Sequence, residues 1–222
     1  MVDEDVQIPA GGTVLKGRLH LPAVNAGVVI MADGGGHGDA RRLRLEEVAS
    51  MLQQAALGTL VVDLLTSQEE PVRGRAGGID PLAQRLTAAA AWLHQQPKSM
   101  SSRVGYCGTG VGAASALWSA GEPGARIEAI VSLGGSIEAA APRLAAVQAP
   151  TLLIVGGEDR EGLGPHRRAQ AQLRGENRLA VVEGAGELFE EPGAGEVAAG
   201  LARDWFTRYL APAQGRTTEV SR

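Results

Sequence analysis

Short apolar runs alternate with stretches of helical spacing along almost the whole of this chain, and that alternation narrows the folds open to it more than any other feature. Gly27–Ala32 and Thr59–Leu64 read as strands buried on both faces. Arg103–Cys107, Ala129–Leu133, Thr151–Val155 and Leu179–Val182 read the same way. Between them, 43–57 carries Leu45, Val48, Ala49, Leu52, Ala55 and Ala56 on one helical face, with Gly58 as its stop. Residues 81–94 form a second helix, for which Asp80 suits the N-cap and Pro81 the first position. Further helices are expected over 111–120, 139–146, 166–173 and 194–210. Thr13–Leu21 alternates apolar and polar residues, as an edge or half-buried strand does. Strand–helix alternation implies right-handed crossovers, hence a mostly parallel α/β sheet of about seven strands covered on both faces. No linker divides the chain, so one domain is expected over 1–222, with a polar tail over 211–222.

Composition limits the partners. Hydrophobic residues make up 44%, enough for one sizeable core, whereas aromatics are only 3% against 31 glycines. Close helix–sheet packing is favoured over an aromatic-lined pocket. The net charge of -4 is the wrong sign for a nucleic-acid footprint. Arg41, Arg42 and Arg44 read as the solvated start of a helix. The acidic N-terminus has no apolar core of a signal peptide, and no apolar run reaches membrane length. With Cys107 as the single cysteine, no internal disulfide forms, and a cytoplasmic location is expected. The expected partner is a small molecule, with no cofactor and no metal, bound by a monomer or homodimer.

Parallel sheets bind ligands beyond the carboxyl ends of their strands. The loops after Ala32, Cys107, Val155 and Val182 therefore carry the candidates, and the polar segment 65–79 is long enough to be a lid. After the strand at 103–107, the turn Gly108-Thr109-Gly110-Val111-Gly112 runs into an Ala-rich helix. That is the setting of a nucleophile elbow, G-x-S-x-G, with Gly110 at its centre. A second frame puts the elbow at Cys107 in Gly105-Tyr106-Cys107. Burial in the strand is the competing account of that thiol.

Several stretches together resemble the dienelactone-hydrolase-like branch of the α/β-hydrolases, the kind sometimes fused to phosphoribosyltransferases. They are Val61-Val62-Asp63-Leu64-Leu65-Thr66, Leu82-Ala83-Gln84-Arg85-Leu86, Ala149-Pro150-Thr151 through Gly157-Glu158-Asp159, and Leu188-Phe189-Glu190-Glu191-Pro192-Gly193. The resemblance implies the α/β-hydrolase fold. It places the family's serine on Gly110, its histidine on Glu187 and its acid on Asp159. The oxyanion loop falls on Asp33-Gly34-Gly35-Gly36 where the family has His-Gly-Ser-Gly. Triad hydrolysis is then not expected, since losing triad members costs orders of magnitude in rate.

Three readings follow: a pseudo-hydrolase, engineered scaffold or binding protein; a non-hydrolytic acid/base enzyme using Asp159 and Glu187; or a thiol hydrolase using Cys107. Asp33, Gly34, Gly35, His37, Thr109 and Val111 are assigned to the oxyanion or ligand pocket. Asp33, His37, Asp159 and Glu187 together contain metal-ligand types, but at no recognisable ligand spacing. Gly34–Gly36 does not match a nucleotide fingerprint. Gly77, Gly78 and Gly186 would open volume around the site. His166 reads as a surface histidine at a helix start, His20 and His94 as remote, and Trp92, Trp118 and Trp205 as core.

Overall fold

The computed structural model describes residues 1–24, 26–33, 39–66, 69 and 78–211. Eight strands form one sheet: β1 (Val2–Ala10), β2 (Thr13–Leu21), β3 (Val28–Asp33), β4 (Gly58–Asp63), β5 (Val104–Thr109), β6 (Ala129–Leu133), β7 (Thr151–Gly156) and β8 (Asn177–Val182). Their spatial order is β1-β2-β4-β3-β5-β6-β7-β8. β3 to β8 run parallel, whereas β1 and β2 join antiparallel. The helices are α1 (Asp39–Gln54), α2 (Asp80–Gln95), α3 (Val111–Ala120), α4 (Ala141–Leu144), α5 (Leu163–Gln172) and α6 (Ala194–Leu210).

Two cores follow from the strand period of two. On one face Val28, Ile30 and Ala32 of β3 join Leu82 and Leu86 of α2 and Leu117 of α3. On the other, Val29 and Met31 join Leu45, Val48 and Leu52 of α1 and Phe206 of α6. Fully covered strands need apolar side chains at every position, which is why these strands read as continuous apolar runs.

The sequence expectation needs several corrections. β1 is an eighth strand. Its acidic, exposed positions hide the alternation that buries Ile8 and Ala10, and it places β2 inside the sheet instead of at its edge. α1 begins at Asp39, four residues before Leu43, and ends at Gln54. Gly58 does not stop it: Ala56 takes the positive φ of 58°, and Gly58 opens β4, where a Cβ would lie 2.9 Å from Leu21 Cδ2. Asp80 is not the N-cap. It lies in the first turn of α2, where its carboxylate accepts from Gln84 and from the Trp118 indole at 2.9 and 3.1 Å. Residues 139–146 split into a 3-10 turn at Ile137–Ala140 followed by the short α4. α5 starts at Leu163, so His166 lies in its first turn, fully buried.

The parallel strands deliver β5, β6, β7 and the β8–α6 turn to one end of the sheet. Near it, Arg85 holds the start of the 65–79 segment. Its Nη1 donates to Leu64 O, and both of its terminal nitrogens donate to the Glu69 carboxylate, each at 2.7 Å. The Thr66 N–H and hydroxyl also donate to Glu69. The Arg85 guanidinium, followed by Thr66, holds the Glu69 carboxyl at about 2. Within the proposed lid, residues 67, 68 and 70–77, Gly77 included, lie outside the described residues, as does the tail beyond 211.

Candidate functional site

β5 runs straight into α3 through Gly110, whose φ of 53° and ψ of -127° no L-residue adopts without strain. The turn is held from both sides. A Cβ on Gly108 would lie 2.5 Å from Ala113 N, and a Cβ on Gly135 would overlap Gly110 N. The elbow predicted around Gly110 is therefore present as backbone geometry, built by small residues that let α3 and the β6 loop close on β5.

The space over Gly110 is taken by a charge pair. A Cβ on Gly110 would overlap Nη1 of Arg41. The Arg41 side chain, only 11% exposed, ion-pairs through Nη2 with Oε1 of Glu187. Arg41 comes from the first turns of α1, and Glu187 from the turn between β8 and α6. Phe189 anchors that turn, buried in the core at a φ of 53°. Arg41, Arg44, Thr109 and Glu187 line one small cavity of about 10 Å3. Thr109 is 3% exposed, and its Oγ1 has no hydrogen-bond partner among the described residues. Val111, at the mouth of α3, is 39% exposed.

Beside this cavity opens a cleft of about 450 Å3, lined by Glu138, Glu158, Asp159, Glu161 and Glu187 with Arg160. Asp159 and Glu187 share the cleft, as the sequence suggested, but each carboxylate already has a partner. Asp159 Oδ1 accepts the N–H of Gly162 at 2.8 Å, and its carbonyl accepts from Leu163, holding the turn into α5. His166 stands behind that turn. Its Nδ1 lies 2.8 Å from Gly162 O, and burial pushes its pKa down. A buried imidazole held to the backbone is neither the surface residue expected nor a replacement base.

Cys107 is misplaced as a site candidate. It pairs with Met31 and Val131 in mid-sheet, is wholly buried among the α1/α6 core residues, and its thiol is pushed by burial up to about 12. No thiolate forms there near neutral pH. Gly34, Gly35 and His37 lie outside the described residues; Asp33 closes β3 opposite Thr109. Among the described residues no group of three His, Cys, Asp or Glu side chains could hold a metal ion. Trp205 is buried core, while Trp92 is partly buried and Trp118 half-buried under Arg143.

Sequence reasoning missed Arg41 and the β6 loop at Gly135. The Arg41–Arg44 pair is not a solvated face. The signal was available: Arg41, Arg44, Leu45 and Val48 fall at helical spacing on one stripe, and that stripe is the buried one.

Comparison with known proteins agrees with this architecture. The family model for the dienelactone hydrolase family matches residues 60–199. The chain is 44% identical over 208 residues to "Putative phosphoribosyl transferase" proteins of two Mycobacterium tuberculosis strains. The match covers 94% of this chain and 47% of each relative, so the chain spans about half the length of the curated relatives it matches. A dienelactone hydrolase from Anabaena variabilis superposes with a TM-score of 0.88 at 40% identity, over 94% of this chain and 98% of that one. Est1E from Butyrivibrio proteoclasticus, 12% identical, shares the fold with a TM-score of 0.78 over 92% and 98% of the two chains. On the family match and these identities, the chain belongs to the dienelactone hydrolase family.

Proposed function

We propose that this domain uses the family's crevice to bind a small molecule and does not hydrolyse esters through a serine triad. The observation that carries this reading is the Arg41–Glu187 ion pair over Gly110. Attack on a carbonyl needs a nucleophile at the elbow apex and a base within hydrogen-bond reach of it. The apex here is a glycine, and a guanidinium stands in the space a nucleophile's side chain would enter. A carboxylate occupies the position that the family resemblance gives to the base. The family's acid, Asp159, is engaged with the turn into α5.

A second reading, acid/base chemistry by Asp159 and Glu187, is favoured by their shared cleft. It requires Glu187 to leave Arg41 before it can move a proton. The two readings part on Glu187→Gln, which removes the acid/base group but leaves the crevice.

Hydrolysis of an activated aryl ester tests the main reading. The unmodified chain is expected to stay at background. Gly110→Ser with Glu187→His is expected to gain little while Arg41 remains in the way. Adding Arg41→Ala is expected to raise turnover by at least about tenfold, a small part of what a complete triad supplies. Saturable turnover by the unmodified chain would refute the main reading, and turnover retained in both Asp159→Ala and Glu187→Ala would refute the second as well.

A further inference from the structure

We propose that His166 is a proton-operated latch between the two walls of the cleft: the neutral imidazole holds the β7–α5 turn alone, and the protonated imidazole also takes hold of the loop after β6. The inference goes beyond ligand binding and stands whether or not the crevice hydrolyses esters.

The ring sits where those walls meet, fully buried in the first turn of α5. Nδ1 lies 2.8 Å from the Gly162 carbonyl. A carbonyl oxygen only accepts, so the neutral ring carries its proton on Nδ1. Nε2 is then a buried lone-pair nitrogen with no hydrogen-bond partner among the described residues. An unpaired buried polar atom is costly, and it points to a second state in which it is paired. The other backbone acceptor close to the ring is the Gly134 carbonyl. Nε2 can bond to it only by gaining a proton. The imidazolium then donates to Gly162 O and Gly134 O at once.

Gly134 is placed to pass the change on. Its carbonyl accepts from Ser132 Oγ at 3.2 Å, and its N–H donates to Ile154 O at 2.8 Å. A Cβ on Gly134 would lie 2.9 Å from Glu187 O, and one on Gly135 would overlap Gly110 N. A pull on this loop therefore reaches the elbow and the β8–α6 turn. Gly135, Ser136 and Glu138 form one wall of the cleft, and residues 158–162 the other. Bridging Gly162 to Gly134 draws the walls together, so the cleft is looser near neutral pH and tighter in mild acid.

Burial lowers the His166 pKa from its ordinary 6.5, against the opposing pull of the Gly162 carbonyl, Asp159, Glu138 and the Gly134 carbonyl. Arg168 of α5 pairs with Glu138 at 4.0 Å, and Arg143 of the adjoining α4 pairs with Glu122 at 3.9 Å. β7 carries no charged residue, and β8 turns Leu179 towards this core. The folded chain thus binds the proton less tightly than the unfolded one. Stability is full above about pH 6.5 and declines below it, down to the folded pKa at which the latch closes.

The test follows the imidazole nitrogens and the Gly134 carbonyl carbon of the full chain by NMR, from neutral pH into mild acid. The Nδ1–H tautomer is expected at neutral pH. The ring and the Gly134 carbonyl are expected to titrate with one midpoint below 6.5. Protection of the Gly135 amide from hydrogen exchange is expected to rise about tenfold across that midpoint, the weight of one hydrogen bond. His166→Asn keeps a donor for Gly162 O but takes up no proton, and is expected to lose the Gly134 titration. Glu138→Gln leaves the ring in place and is expected to move both midpoints down together. The latch is overturned if neutral His166 carries its proton on Nε2, or if the folded spectrum is lost before the ring titrates. It is equally overturned if Gly134 titrates unchanged in His166→Asn, or if the two midpoints part in Glu138→Gln.

Discussion

Cys107 and Gly110 lie three residues apart, yet their surroundings could hardly differ more. The thiol points into a sealed core, where burial holds its proton; the glycine turns a backbone corner at the rim of a cleft. Native protein at pH 8 is therefore expected to resist alkylation by iodoacetamide over hours, and to react at once when unfolded. Rapid labelling of the folded chain would show that β5 opens and would return Cys107 to the list of candidate nucleophiles. Sequence marked both residues and favoured the Gly110 frame, because an elbow at Cys107 would leave Gly108, Thr109 and Gly110 inside the helix. The choice is made by Gly135 closing on Gly110, a contact between β5 and a loop of β6 that no local spacing records. Asp159 and Glu187 were legible as neighbours because each follows a strand. Their partners, Gly162 and Arg41, were not.

Elements were legible where burial is symmetrical. β3 to β7 showed as apolar runs because helices cover both faces, whereas the edge strand β8 buries only Ala180 and Val182; α1 and α6 showed as stripes. β1 did not, because its outer positions carry Asp3, Glu4 and Asp5 while only Ile8 and Ala10 are fully buried. The link between Glu69 and α2 also escaped notice, since it joins residues sixteen apart through a charge pair. Its energetics follow from proton linkage. The Glu69 carboxyl lies at about 2 in the folded chain against an ordinary value of 4.5, so the folded state binds the proton less well. The pair stabilises above about pH 4.5, and that contribution fades as pH falls towards 2. The Glu69 side chain is 36% exposed, which limits the effect to about 1 kcal/mol. Glu69→Gln is expected to lower urea stability by that amount at pH 7 and to match the parent near pH 2. A gap that persists at low pH would assign the loss to packing instead of charge.

At the scale of the whole molecule, stability depends on both faces of one sheet. Phe206 of α6 lies against β5 where Gly105 leaves room for its ring, with a hypothetical Cβ only 2.7 Å from Cε1. Phe206→Ala is expected to cost about 3–5 kcal/mol. Loss of stability below about 1 kcal/mol in thermal or denaturant unfolding would mean that α6 is not part of the cooperative unit. The class of fold was readable because crossover handedness and strand burial leave few arrangements for such a pattern. The order of strands was not, because pairing between β4 and β3, or β3 and β5, is settled by surfaces that meet only in three dimensions.

The elbow at Gly110 keeps a difficult backbone corner with no side chain to justify it. Glycine holds that corner without strain, whereas serine there would cost about 1–3 kcal/mol. The corner is maintained by its neighbours, so it behaves as an empty socket in the scaffold. Placing a nucleophile there would leave the main chain where it is and would mean rearranging only the Arg41 and Glu187 side chains above it. On the reading proposed above, a nucleophile placed there and a bound ligand would compete for the same small space, and one could be favoured only at the expense of the other.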